Sequence, residues 1–252
     1  MKYVRFLFNQ EICYGALKDE SIFFLKTNFL EGTEETGDFV LLKDVRLFPP
    51  TQPSKIIAVG LNYYNHIKEF GDRDVPKYPT LFVKMVHTVI GQHDAIIYPI
   101  QSNRVDFEAE MALVISKQCK NVTLEQAGNY IFGITCLNDV TARDLQKIDG
   151  QWMRGKNFET FCPIGPCIAT ELDWNNLNIF SRLNGKTMQQ GNTKDMIFKA
   201  EMLVSLISEV FPLEKGDIIT TGTPEGVGPM QIGDIIEIEL EGVGILRNII
   251  KK

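Results

Sequence analysis

Residues 104–115, Arg-Val-Asp-Phe-Glu-Ala-Glu-Met-Ala-Leu-Val-Ile, constrain this chain more than any other stretch. Apart from its charged residues the run is apolar and reads as a strand, on which side chains at i and i+2 leave the same face. Glu108 and Glu110 then point one way, and Phe107, Ala109, Met111 and Leu113 the other. Two like charges side by side call for a cation. The next apolar run, residues 130–137, ends in Asn138-Asp139 and adds a third carboxylate. Three oxygen ligands, with the remaining positions left to water or substrate, suit a hard divalent cation, Mg²⁺ or Mn²⁺. On spacing alone Glu-x-Glu is more often a solvated strand face, so the metal reading rests on its surroundings.

Composition narrows the partners. The chain has 252 residues, 44% of them hydrophobic, enough for one large core with a small appendage. A net charge of −6, with no basic block interleaved with aromatics, argues against nucleic acid and anionic membrane. The five cysteines are scattered and contain no Cys-x-x-Cys pair, so neither a disulfide framework nor a zinc site is expected. No apolar segment reaches membrane-spanning length and the first residues lack a signal peptide's apolar core, which makes the expected compartment cytoplasmic.

Residues 1–48 alternate apolar and polar positions and predict short strands in a small antiparallel subdomain. A proline-rich linker at 47–53 leads into the main domain, 49–252. After a strand at 55–59, Asn62 can cap a short helix on which His66 and Glu69 fall at i and i+3, on one face. A carboxylate so placed can orient an imidazole as a general base, although a casual pair on a surface helix has the same spacing. The polar, proline-bearing residues 71–79 predict a mobile loop able to act as a lid. Arg143 and Gln146 share one face of a turn beyond Asp139, where an arginine can grip a carboxylate or make a surface salt bridge. Lys156 lies in an aromatic, glycine-containing segment. His87 and His93 have no metal-ligand spacing. Asn184-Gly185 predicts a hairpin, and residues 199–210 a helix with Met202, Leu203, Leu206, Ile207 and Val210 on one side. The glycine-rich loop 222–228 lacks both nucleotide fingerprints.

Six segments carry a resemblance: Gly60-Leu-Asn-Tyr-Tyr-Asn-His66-Ile-Lys-Glu69, Val105-Asp-Phe-Glu108-Ala-Glu110, Asn138-Asp139-Val-Thr-Ala-Arg143-Asp, Lys156-Asn-Phe, Asn184-Gly185 and Asp217-Ile-Ile-Thr-Thr-Gly-Thr223-Pro-Glu-Gly-Val-Gly228. In that order, from about residue 55 onward, the chain resembles the fumarylacetoacetate hydrolase family, in its short acylpyruvase and 2-hydroxyhepta-2,4-diene-1,7-dioate isomerase-like branch. The resemblance implies an α+β, mainly β fold, with a mixed β-roll catalytic domain and a small N-terminal subdomain, and a homodimer. It implies Mg²⁺ (or Mn²⁺) on Glu108, Glu110 and Asp139, and a water-activating His66–Glu69 dyad on a lid. Lys156 matches the lysine that steadies developing negative charge, and Arg143, Gln146 and Thr223 match substrate-contacting positions. One segment departs from the family: Met85-Val-His87-Thr88 follows Lys84 where many members have proline and a small or hydroxyl residue. Thr88 still offers a hydroxyl there; His87 is not carried over.

The implied reaction is hydrolysis of a carbon–carbon bond in a small acylpyruvate-type 2-oxo acid. His66, oriented by Glu69, would take a proton from water, and Lys156 would stabilise the oxyanion. Oxaloacetate decarboxylation and keto–enol tautomerisation or 2-hydroxydienoate isomerisation would use the same site. A non-catalytic small-acid-binding protein of the same fold is the remaining alternative.

Overall fold

Short alternating apolar runs divided by Gly, Asn and Pro favour strands over helices, and the computed structural model, which describes residues 1–69 and 74–252, is α+β and mainly β. Residues 1–48 form an antiparallel meander of β1 (Lys2–Phe8), β2 (Glu11–Lys18), β3 (Ser21–Leu25) and β4 (Glu35–Leu41). The short β5 (Arg46–Phe48) returns against β1. The main region begins with β6 (Ile56–Gly60), α1 (Tyr64–Glu69), β7 (Thr80–Lys84), β8 (Val89–Ile90) and β9 (Ala95–Ile97). It continues through β10 (Val105–Phe107), β11 (Ala109–Ile115), α2 (Leu124–Ala127), β12 (Ile131–Asn138), β13 (Thr141–Ala142), α3 (Arg143–Asp149), α4 (Met153–Lys156) and β14 (Cys162–Ala169). The last third holds β15 (Asn178–Leu183), β16 (Lys186–Asn192), α5 (Ala200–Val210), β17 (Ile218–Thr220), β18 (Gly228–Met230), β19 (Ile235–Leu240) and β20 (Gly244–Lys251).

Among the described residues these strands make a 12-stranded sheet, with the path β4-β3-β2-β1-β14-β12-β11-β17-β6-β7, a five-stranded sheet, β16-β15-β19-β20-β9, and a three-stranded sheet, β13-β10-β18. β1 pairs with β14, so the N-terminal meander continues the large sheet, and Val4 and Phe6 share a core with Met111 and Ile134. Every residue of β11 is buried, as suits a strand paired on both edges and covered on both faces.

Three local expectations change. Residues 104–115 are two strands in two sheets, not one: β10 pairs with β13 and β18, β11 with β12 and β17, and Glu108 lies at the break. There the Asn138 side chain stands in for a ladder partner, its Oδ1 accepting from the Glu108 N–H at 2.9 Å, while Glu108 O accepts from the Asp139 N–H at 2.9 Å. Asn62 is not a helix cap. Its buried amide donates to Phe198 O (3.0 Å) and Thr221 O (2.7 Å) and accepts from Phe198 N (2.7 Å), stapling the end of β6 to two later segments. On α5 the buried residues are Ala200, Leu203, Val204, Ile207 and Ser208, whereas Met202 and Val210 are exposed. The small residues permit close packing where Val122 N–H bonds Ser208 Oγ at 2.9 Å. The hairpin is as expected, with Asn184 and Gly185 both at positive φ, 51° and 79°.

Candidate active site

The wall of the site begins at the end of β6. A Cβ on Gly60 would stand 2.4 Å from the Trp152 ring, so only glycine lets the indole close on the strand end. Trp152 meets Phe82 edge-on, with ring centroids 5.1 Å apart. Past Asn62, α1 turns His66 inward, to 6% exposure, and its Nδ1 lies 2.8 Å from Glu69 Oε2. Gly226 N–H donates to the other Glu69 oxygen at 2.7 Å. Burial would raise the Glu69 carboxyl, but the His66 and Gly226 hydrogen bonds hold it below its ordinary value. The expected lid loop falls partly on residues 70–73, which lie outside the described residues.

Glu108, Glu110 and Asp139 form the floor. Their ligand oxygens all lie within 4.8 Å of one another, and the three residues are at most 5% exposed. Lys156 Nζ donates to Glu108 Oε2 (2.8 Å) and Asp139 Oδ2 (2.6 Å). Arg143 donates to Glu108 Oε1 (2.5 Å), Asp106 Oδ2 (2.9 Å) and Gln146 Oε1 (2.7 Å). Burial would raise the Glu108 carboxyl, yet the neighbouring Lys156 and Arg143 charges hold it far below the carboxylate range. Glu110 has no ion pair among the described residues. Burial, then Asp139 and Glu108, push it well above its ordinary value, although Gly222 N–H donates to its Oε2 at 2.9 Å. That approach requires glycine: Gly222 has φ +86°, and a Cβ there would meet Asn62 Cβ at 2.8 Å. A clustered, buried oxygen set with one acid still lacking a positive partner fits a divalent cation, which would allow Glu110 to ionise.

The structure brings all nine expected residues together. His66, Glu108, Glu110, Asp139, Arg143, Gln146, Lys156 and Thr223 line one cavity of about 590 Å³, and Glu69 stands behind His66. Arg143 is engaged by protein acids in this arrangement, and so positions Glu108. Thr88 Oγ1 donates to Met85 O (2.7 Å), and His87 Nε2 lies 3.1 Å from Asn157 O; neither residue lines the cavity.

Three supporting residues escaped the sequence reading. Lys84, fully buried, donates to Asp139 Oδ1 (2.6 Å) and Lys156 O (2.8 Å). Asp106, also fully buried, receives Arg104 and Arg143. Gln189 accepts from Ala109 N (3.0 Å) and donates to Thr223 Oγ1 (2.8 Å) and Pro224 O (2.8 Å). Asp106 had a signal, because the i, i+2 alternation that pairs Glu108 with Glu110 extends back to it.

The description fumarylacetoacetate (FAA) hydrolase, C-terminal, belongs to the family model that matches residues 55–251; one described as Rv2993c-like, N-terminal, matches residues 1–50. The mitochondrial oxaloacetate tautomerase Fahd2a of Rattus norvegicus is 43% identical over 213 residues, 80% of this chain and 68% of that protein. Among solved structures, 5-carboxymethyl-2-hydroxymuconate delta-isomerase from Mycobacterium smegmatis superposes with a TM-score of 0.93 at 36% identity, over 100% of this chain and 99% of that one. Maleylpyruvate hydrolase from Sphingobium sp. SYK-6, in complex with manganese(II) ion and pyruvate, gives a TM-score of 0.82 at 28% identity, over 100% and 99%.

Proposed function

The chain belongs to the fumarylacetoacetate hydrolase family, and from that membership we propose that it is a divalent-cation-dependent enzyme that shifts a proton on a small 2-oxo acid, interconverting its keto and enol forms. The observation that carries this reading is the 2.8 Å contact between His66 Nδ1 and Glu69 Oε2, on the wall of a cavity floored by three carboxylates. A carboxylate on Nδ1 keeps the ring proton there and makes Nε2 the basic atom. His66 takes the proton from the carbon beside the 2-oxo group, leaving an enolate, and a proton passed to the 2-oxo oxygen from the imidazolium or from water completes the enol. In the reverse direction the oxygen loses its proton and the imidazolium protonates the carbon, with Glu69 steadying the charged ring in between. Lys156, held by Glu108 and Asp139, keeps a positive charge at the floor, where negative charge grows on the 2-oxo oxygen. Trp152 and Phe82 form an apolar wall that limits water around the reacting carbon. Glu108, Glu110 and Asp139 would hold a divalent cation, which would supply Lewis acidity at the floor. Mg²⁺ is the ion we expect, with Mn²⁺ as its substitute, in a cytoplasmic homodimer.

Carbon–carbon hydrolysis of an acylpyruvate is the second reading. The same dyad can deprotonate a water, and the likeness to maleylpyruvate hydrolase supports it. Keto–enol relaxation of oxaloacetate, followed by enol absorbance with Mg²⁺ present, tests the first reading. Wild-type protein is expected to accelerate it, and His66→Ala to lose about 10²- to 10⁴-fold of that acceleration. Relaxation at the buffer rate, with pyruvate released from acetylpyruvate or fumarylpyruvate, would hand the site to hydrolysis. Neither activity would refute both readings.

A further inference from the structure

Among the described residues, protein acids engage the cations on the cavity wall, with one exception. Arg143 is bound by Asp106 and Glu108, Lys156 by Glu108 and Asp139, and His66 by Glu69. Lys147 lines the same cavity, and its ammonium makes no hydrogen bond or ion pair among the described residues. Arg143, Gln146 and Lys147 stand at i, i+3 and i+4 of α3, so they form one stripe along a single face. The stripe starts at the floor acids and ends in solvent. Arg143 and Gln146 are half-buried, the former touching the floor acid Glu108, whereas Lys147 is exposed about 6 Å further along the helix axis. Phe82 and Trp152, packed edge to face, give the same cavity an apolar wall.

A ligand that satisfies this layout carries one anionic, chelating end at the floor, a short carbon chain against the aromatic wall, and a second anion at the mouth. We infer that Lys147 holds the distal carboxylate of a short dicarboxylic 2-oxo acid, making it a specificity-determining residue. The inference rests on the proposed function for the chelating end alone. A monocarboxylic acid of the same length would leave the ammonium in water and gain nothing from it.

The test reads binding, so it does not depend on which reaction the protein performs. With Mn²⁺ present, 2-oxoglutarate and 2-oxopentanoate, equal in carbon number but differing in the distal carboxylate, are titrated calorimetrically into wild-type protein, Lys147→Ala and Lys147→Arg. Wild type is expected to prefer the dicarboxylate by about two- to fivefold, Lys147→Arg to keep that preference, and Lys147→Ala to abolish it without weakening 2-oxopentanoate. A preference that survives in Lys147→Ala, or none in wild type, overturns the assignment and leaves a solvated surface lysine. Failure of the tautomerase reading would appear separately, as unassisted relaxation of oxaloacetate by a protein that still shows the binding preference.

Discussion

Lys84→Met removes a cation that no solvent can replace. The Lys84 side chain is 0% exposed and that of its partner Asp139 is 1% exposed. Breaking a buried ion pair from one side costs about 3–5 kcal/mol, because the surviving charge is left without its partner. Lys156 still reaches Asp139 at 2.6 Å, which places the electrostatic loss near the lower end, about 3 kcal/mol. The carbonyl of Lys156 also loses a donor at 2.8 Å. In a chain of this length about 3 kcal/mol corresponds to a melting temperature lower by about 6–12 °C. Urea unfolding in excess chelator measures the effect without a contribution from bound cation. The double variant Lys84→Met/Asp139→Asn should be less destabilised than the sum of its single variants by about 1 kcal/mol or more, since it removes the stranded charge together with its partner. A loss below about 1 kcal/mol for Lys84→Met, or strict additivity in the double variant, would refute the claim that Lys84 neutralises Asp139.

Glu110→Gln should leave the chelated protein close to wild type in stability, because burial already favours the uncharged carboxyl, while Mn²⁺ affinity falls by roughly tenfold or more; unchanged affinity in a calorimetric titration would remove Glu110 from the ligand set. Glu69 has a folded value below its ordinary 4.5, so its contribution is fully present above about pH 4.5 and is lost as the pH falls through the lower folded value. Stability curves of Glu69→Gln should therefore approach wild type only at the acid end, and parallel curves at all pH values would contradict the assigned hydrogen bonds. Sedimentation at micromolar concentration should give twice the 28.6 kDa chain mass, and a monomer would remove the homodimer from the account.

Much of the site was legible because its chemistry is written in short spacings. The i, i+3 relation of His66 and Glu69 on α1 and the i, i+2 relation of Glu108 and Glu110 survive folding unchanged, since each pair lies within a few residues. The supporting groups were illegible for the opposite reason. Lys84 ends an apolar strand like many surface lysines, and only the arrival of Asp139, from 55 residues away, makes it a buried counter-charge. Asn62 has the residue type of a cap, but its amide is claimed by Phe198, 136 residues distant. The buried face of α5 was misplaced because Ala200 and Ser208 carry little hydrophobic signal yet permit the closest contact, while Met202 and Val210 carry a strong signal and face outward. Periodicity likewise could not show that residues 104–115 change sheets at Glu108, since both halves alternate in the same phase.

That change of sheet has a mechanical side. Glu108, between β10 and β11, and Asp139, between β12 and β13, both stand at the seam between the three-stranded and 12-stranded sheets, whereas Glu110 lies on β11 within the larger one. An ion gripping all three would clip the two chain crossings of that seam to each other and to β11, stiffening the joint as well as serving the reaction. Amide hydrogen exchange in β10, β13 and β18 would then slow when the cation is added, while the β2–β3 hairpin, far along the larger sheet, would keep its rate. Cation occupancy would be felt as stiffness along one seam of the molecule.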